Sequence, residues 1–499
     1  MPSSLPPQPS SDTDSESDGR AGTNPYITRI QLDSPQLSPL ETSPTDWTPV
    51  QNQNRRSKNR LQTPQVLILG FALLILIGTL LLKLPAASAT GHSIGWMEAY
   101  FTATSAITVT GLAVLTTATD FTRFGQVIIL ILLQVGGVGF IAFSVLLLRL
   151  IGRRVTLNER FIIQQSLGAE QASGVGRLAL YVLGVTLSVE AVGALLLWLR
   201  WRTTMPDGEA AWYAIFHAIS SYCNAGFDLF SGTNQPVLFG YGSDFSTLAV
   251  MGTLILLGGF GITVLYDIAS FRRDRMLALN TRITLILTLV LTVTGTFLMM
   301  LDSAIYTDIL SGLPFHEKLW VSLFTIVSAR TAGLTILPLE QLGEATQAII
   351  MIWMFIGGAP ASMAGGVTSS VVGVLLVSVI ATAKGHNAAV AFGRTVPVET
   401  IFKAVAIMTV STLLVAVMTL ALSLLGEGGI FAEGFEVISA FANAGYSLNF
   451  TSSLDNWGRF LIAFTMFWGR LGPLTIVVAL AQSEHPSLIT HPEEPVILG

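Results

Sequence analysis

The sequence predicts an all-α membrane protein. It would hold four helix–pore-loop–helix repeats around one central pore, with eight spanning helices, one of them broken, and four re-entrant helices. Three observations predict this. Hydrophobic residues make up 51% of the 499 and charged residues only 11%, against about 25% charged in soluble domains. Mean hydropathy is +0.64, more apolar surface than a water-soluble chain can hide, so lipid is the solvent for most of it. A short glycine-containing segment also recurs four times at a nearly constant spacing.

Residues 1–60 are rich in Ser, Pro, Asp, Thr and Asn and hold no apolar stretch, whereas a signal peptide needs one of about 7–15 residues. Such a segment buries too little apolar surface to fold alone and is expected to be a disordered cytoplasmic tail. Stretches suited to spanning helices, which need about 20 residues, lie near 64–86, 124–151, 175–201, 244–271, 281–303, 343–381, 400–426 and 457–482. Between the members of each pair stands a shorter segment, at 93–107, 209–223, 316–328 and 430–443. These 13–15 residues are too few to cross and read as re-entrant helices. The repeats then occupy 64–151, 175–271, 281–381 and 400–482, and 483–499 forms a second cytoplasmic tail.

Basic residues orient the chain. Sixteen of them precede the first stretch (Arg55, Arg56, Lys58, Arg60) or come after the second helix of the first three pairs. The latter are Arg149, Arg153, Arg154, Arg160 and Arg177; Arg272, Arg273, Arg275 and Arg282; and Lys384, Arg394 and Lys403. The opposite side and the short segments together hold eight. By the positive-inside rule both termini are cytoplasmic and the re-entrant segments dip in from outside.

Each re-entrant segment ends in a short strand with a glycine: Ser105 to Gly111, Ser221 to Gly226, Ser328 to Gly333 and Ser439 to Gly445, the glycines 115, 107 and 112 residues apart. A dehydrated K+ needs a ring of oxygens in place of its water, and backbone carbonyls supply one in channel filters. A strand that turns successive carbonyls to one axis needs backbone angles that glycine adopts without a Cβ penalty. Helix C-termini pointing at the same centre favour a cation. The candidate ion-binding residues are Thr108, Val109, Thr110 and Gly111; Asn224, Ala225 and Gly226; Thr331, Ala332 and Gly333; and Asn443, Ala444 and Gly445. The bland alternative is four glycine caps at helix packing sites, which leaves the re-entrant geometry unexplained.

Four such repeats with these strands resemble the Trk/Ktr/HKT superfamily of K+ transporters, and within it the membrane subunits of Ktr systems, over residues 64 to 482. The resemblance implies K+ uptake, with Na+ as a possible stimulator, by a homodimer in the cell membrane. It also implies a cytosolic ring of RCK-type, KtrA-like nucleotide-binding subunits. Relatives that favour Na+ carry Ser at the first filter position, so Gly111 points to K+. Sodium conduction by a relative of the same superfamily, or a place in a sodium ATPase operon as its ion-translocating subunit, stays open. So does a secondary transporter with a broken helix, although such folds usually carry two inverted halves.

The sixth stretch contains Gly357, Gly358, Ala359, Pro360, Ala361, Ser362, Met363, Ala364, Gly365 and Gly366. Proline and glycines should break the helix here, and irregular backbone at membrane depth belongs beside protein or pore water. The resemblance makes this loop a gate beneath the filter and puts Arg470, a charge inside the last stretch, beside it. A kinked helix of small residues, and an arginine that merely ties up broken-helix carbonyls, are the competing readings. Arg330, three residues before Gly333, should turn away from the axis and support the filter from behind. Asp228 either concentrates cations at the mouth or stabilises a turn. The runs 136–139 and 258–261 read as close helix packing, since they lack the strand and lysine of a phosphate loop. One cysteine, Cys223, allows no internal disulfide, and six scattered histidines support no transition-metal site. Nothing points to an enzyme.

Overall fold

The computed structural model describes residues 63–138, 175–232, 244–305, 310, 312–425 and 428–472. The tails expected at 1–60 and 483–499 lie outside the described residues. So do Arg149, Arg153, Arg154 and Arg160 and the far ends of the stretches 124–151 and 457–482. The first repeat consists of α1 (Thr63–Leu82), the short α2 (Trp96–Ile107) and α3 (Arg123–Val138). The second has α4 (Val175–Trp201), α5 (Asp207–Tyr222) and α6 (Phe245–Asp274). In the third, α7 (Leu279–Ile305) and α8 (Phe315–Thr331) precede a helix in two pieces, α9 (Glu344–Phe355) and α10 (Ser369–Ala383). The fourth has α11 (Val398–Ser423), α12 (Ile430–Ala442) and α13 (Asn456–Leu471).

Among the described residues, stretches within α4, α6, α7 and α11 are long and apolar enough to cross a membrane, and shorter apolar helices form in α1, α3, α9 and α10. On α11, Phe402, Leu413, Val417 and Leu420 are all exposed. A helix with that much bare apolar surface is stable only against lipid. The linker from α10 to α11 carries a hairpin, β1 (Val390–Ala391) paired antiparallel with β2 (Arg394–Thr395). Its two-residue turn, Phe392-Gly393, has positive φ at both positions, the geometry that matches strand twist.

The four short helices form the inner layer. Each carries Phe-x-x-x-Ser near its end: Phe101 to Ser105, Phe216 to Ser220, Phe324 to Ser328 and Phe435 to Ser439. All four phenylalanines are buried, so in a lipid setting they contribute by close packing within the protein. Small residues such as Ala103, Ala218, Ala329 and Ala440 are buried beside them and allow the helices to converge. The third helix of each repeat packs on the short helix of the next. Thus α3 meets α5, α6 meets α8, α9 meets α12, and α13 closes the circle on α2.

Candidate ion pathway

The end of each short helix is built alike. The Phe-x-x-x-Ser serine carbonyl accepts from the N–H five residues on: Thr110 at 2.9 Å, Ala225 at 2.8 Å, Gly333 at 3.1 Å and Ala444 at 2.9 Å. In repeats 1, 2 and 4 the residue before that donor lies in the left-handed region: Val109 (φ 50°), Asn224 (φ 56°) and Asn443 (φ 50°). This is the six-to-one closure of a helix end. Repeat 3 is one residue shorter, so the donor is the glycine itself and Ala332 keeps a negative φ of −117°. In three repeats the serine hydroxyl also fixes the strand beyond the helix. Ser105 Oγ accepts from Gly111 N–H (3.1 Å), Ser220 Oγ donates to Phe227 O (2.6 Å) and Ser328 Oγ to Leu334 O (2.9 Å).

Gly111, Gly226, Gly333 and Gly445 come together in a closed ring, with φ of 89°, 71°, 67° and 82°. A Cβ added at Gly111 would stand 2.6 Å from Ala225 O, and one at Gly226 would stand 2.6 Å from Ala332 O. At Gly333 it would strike Ala444 O, and at Gly445 Thr110 O. Each glycine thus faces the carbonyl of the next repeat, and the fourth returns to the first. The carbonyls of Thr110, Ala225, Ala332 and Ala444 converge where four helix C-termini end, a place of negative potential.

The remaining strand residues face away or brace the ring. In the orientation that satisfies its amide, Asn224 donates to Ile255 O and Ser221 O and accepts from Gly259 N–H, all at 3.1 Å. Asn443 Nδ2 donates to Met466 O (3.0 Å) and to Thr110 Oγ1 (2.8 Å), which lies 2.7 Å from Thr108 Oγ1. Both asparagines therefore pin a strand to the third helix of its own repeat. Thr331 remains helical as the last residue of α8. Tyr446 Oη donates to Thr325 O (3.1 Å), tying repeat 4 to repeat 3.

A related tetrapeptide recurs in the sequence of all four repeats, at 136–139, 258–261, 357–360 and 469–472. It belongs to the third helix in repeats 2 and 4 and follows α9 in repeat 3, and in repeat 1 its first three residues lie among the described ones. At Gly136, Gly258 and Gly469 an added Cβ would strike the carbonyl of Ile107, Tyr222 and Phe441, four residues before the ring glycine. Close packing is therefore real. The structure adds a second feature, because α6 is interrupted at Gly261 (φ 69°, ψ 165°) and α13 ends on Gly472 (φ 84°). The break in α6 leaves carbonyls without their helical donors. Gly259 O accepts instead from Ala359 N–H (2.9 Å) and Gly258 O from Met363 N–H (3.2 Å).

Residues 357–366 form the loop between α9 and α10. Its two ends pair through Gly357 N–H to Val367 O (2.9 Å) and Ser369 N–H to Gly358 O (2.8 Å). Arg330 is buried and donates to Gly357 O at 3.1 Å, so it meets a broken-helix carbonyl rather than the ring. Arg470 donates to Met363 O, Gly136 O and Gly137 O. Gly365 abuts Asn443 and Ala442. A loop of repeat 3 thereby touches repeats 2 and 4 and, through Arg470, repeat 1.

On the other side of the ring is a cavity of about 320 Å³ that reaches Gly111 and Gly445 and is bordered by Thr335, Glu340, Ser447 and Thr451. Asp228 is near this mouth with its carboxylate engaged in a turn, accepting from Phe230 N–H (2.8 Å), Ser231 N–H (2.6 Å) and Ser231 Oγ (2.8 Å). Sequence reasoning overlooked the Phe-x-x-x-Ser signature, the interruption of α6 at Gly261 and the carboxylate of Glu436. The first was visible as a pattern starting nine or ten residues before each ring glycine.

Comparison with known proteins agrees with this architecture. The family model TrkH, described as cation transport protein, matches residues 45–489. The Ktr system potassium uptake protein B of Bacillus subtilis is 36% identical over 440 residues, 88% of this chain and 97% of its own. The potassium/sodium uptake protein NtpJ of Enterococcus hirae is 33% identical, covering 89% of this chain and 99% of its own. The crystal structure of the potassium transporter TrkH from Vibrio parahaemolyticus superposes with a TM-score of 0.67 at 16% identity, over 86% of each chain. That likeness concerns the fold. With four helix–pore-loop–helix repeats and a family match across most of its length, the chain belongs to the TrkH family of cation transport proteins, which are ion transporters and not enzymes.

Proposed function

We propose that this protein carries K+ into the cell through the glycine ring, with Thr108–Gly111, Asn224–Gly226, Thr331–Gly333 and Asn443–Gly445 as its filter. The observation that carries the reading is the closed circuit in which each glycine meets the next repeat's carbonyl. Only a backbone without side chains at that level leaves room for oxygens to replace an ion's water. The repeats 64–151, 175–271, 281–381 and 400–482 are the units of this pore. Residues 357–366 act as its gate, Arg470 latches that gate, and Arg330 supports the filter from behind. The protein works as a homodimer in the cell membrane with both termini cytoplasmic, regulated by a cytosolic nucleotide-binding ring. The names of the Ktr relatives, each a subunit of a system, support a partner of this kind.

Rubidium and sodium flux into proteoliposomes tests the reading. Saturable rubidium entry that K+ inhibits better than Na+ is expected; entry of neither ion into vesicles holding folded protein would overturn it. A second reading, conduction of both K+ and Na+, has the potassium/sodium uptake relative in its favour, and equal flux of the two ions would select it. Faster K+ entry when Na+ is added would mark Na+ as a stimulator rather than cargo.

A further inference from the structure

Glu436 takes no part in the filter or the gate, yet it is fully buried in α12. Its two carboxylate oxygens accept from two different hydroxyls. Ser447 Oγ donates to Oε2 at 2.8 Å, and Thr451 Oγ1 donates to Oε1. Both hydroxyl residues border the mouth cavity that reaches Gly445 and Gly111. No arginine or lysine pairs with this carboxylate among the described residues. A buried charge in that condition needs a counter-charge or hydrogen bonds that suffice without one.

The proton count makes the arrangement specific. A serine or threonine hydroxyl has one proton and two lone pairs. With both protons directed at Glu436, none is left for the contact between Ser447 Oγ and Thr451 Oγ1, which lie 3.0 Å apart. Ser447 Oγ uses one lone pair to accept Phe450 N–H at 3.2 Å. The lone pairs that remain on the two oxygens then have no donor among the described residues, with the carboxylate behind them and the cavity bordered by both residues. A cation shared by both oxygens satisfies those lone pairs and neutralises Glu436.

The same position in the second repeat is His217, one residue after the helix phenylalanine. There Nε2 accepts the Leu229 N–H at 3.3 Å and anchors the strand beyond the ring. Thr102 and Thr325 occupy it in repeats 1 and 3. Anchoring therefore needs no acid, and the carboxylate of repeat 4 is unexplained by it.

We infer that Ser447 Oγ and Thr451 Oγ1, polarised by Glu436, form a loading site for a dehydrating monovalent cation at the pore mouth, next to Gly445. The inference rests on the proposed conduction path and adds a site to it. Glu436→Gln is the direct variant, because an amide donates to one hydroxyl and reverses it as well as removing the charge. Thr451→Val keeps the shape and removes one oxygen. In proteoliposomes, Glu436→Gln should raise the half-saturating rubidium concentration on the mouth side by about tenfold, as expected for loss of one charge beside an ion in a partly solvated site. The maximal rate should fall by less than that, the half-saturating concentration for ions entering from the opposite side should not change, and Thr451→Val should show the same pattern.

A purely structural role would lower the maximal rate from both sides, with half-saturation unmoved, and would sink the inference while leaving the pore reading intact. If Glu436→Gln does not fold, Thr451→Val alone decides by the same side-specific criterion. If the unaltered protein carries no rubidium, the pore reading fails and calorimetry with KCl judges the site by itself. Equal K+ binding by the unaltered protein and Thr451→Val would then reject it.

Discussion

At Gly111 the backbone stands at φ 89°, and an added Cβ would lie 2.6 Å from Ala225 O and 2.8 Å from Gly226 Cα. Gly111→Ser cannot be absorbed by a rotamer change, because the clash is with backbone on both counts. The ring must widen or tilt at that quarter, and discrimination of K+ from Na+ is expected to fall by about tenfold or more, ~1.4 kcal/mol. Competitive uptake of the two ions measures it; unchanged preference in a folded variant would remove Gly111 from the filter. Arg470 differs in kind. Its guanidinium donates to carbonyls of repeats 1 and 3, and hydrogen bonds to a charged donor contribute about 1.5–3 kcal/mol each. Arg470→Ala should free the loop and raise flux by about an order of magnitude while K+/Na+ preference stays put, which flux ratios will show. The ring glycines were legible in the sequence because they recur four times; Glu436 was not, since a single acid in a short helix has no pattern to stand against. Of the two competing readings of Arg470, the geometry shows the donor to backbone carbonyls, and the role in the pathway is the part that the flux measurement tests.

Among the elements, the broken helix was foreseen from Pro360 and its glycines, whereas the interruption of α6 was not. Gly258-Gly-Phe-Gly261 is compatible with an ordinary packed helix, and glycine alone does not dictate which φ it takes. Tertiary contacts decide. The left-handed Gly261 sets two carbonyls free, and the loop of repeat 3 supplies two N–H groups that would otherwise be unsatisfied at membrane depth. Each break satisfies the other, so neither is stable alone. A Cβ at Gly261 would stand 2.9 Å from Ala361 O and from Ser362 Cα, and its positive φ strains any L side chain. Gly261→Ala should therefore displace the loop toward the open arrangement. We expect higher flux with unaltered ion preference and a protein less stable by about 1–3 kcal/mol. Flux ratios and thermal unfolding in detergent separate this from simple misfolding, which would lower flux together with folded yield.

For the whole molecule, the sequence carried the fold class because composition and stretch length each act over hundreds of residues. It could not carry the cyclic order of the repeats, which arises only when α13 packs back on α2 and Gly445 meets Thr110 O. That closure gives the broken-helix loop of repeat 3 its reach. The loop 357–366 contacts repeats 2 and 4 directly, and Arg470 links it to repeat 1, so its position is a property of all four quarters at once. Under the proposed function, a regulatory partner can shift this loop only by binding one arrangement more tightly than the other. Moving it from mostly shut to mostly open takes about 5.5 kcal/mol of differential binding, comparable with the two hydrogen bonds that Arg330 and Arg470 donate to the loop. Shortening the loop removes the element on which that difference acts. The shortened protein is expected to pass K+ faster and to lose its dependence on the partner, with the ring glycines and therefore the ion preference untouched. The measurement is flux in proteoliposomes for the intact and shortened proteins, each with and without the partner. If the shortened protein is folded and selective yet still silent without the partner, the barrier lies elsewhere along the axis and residues 357–366 serve only to satisfy the broken ends of α6, α9 and α10.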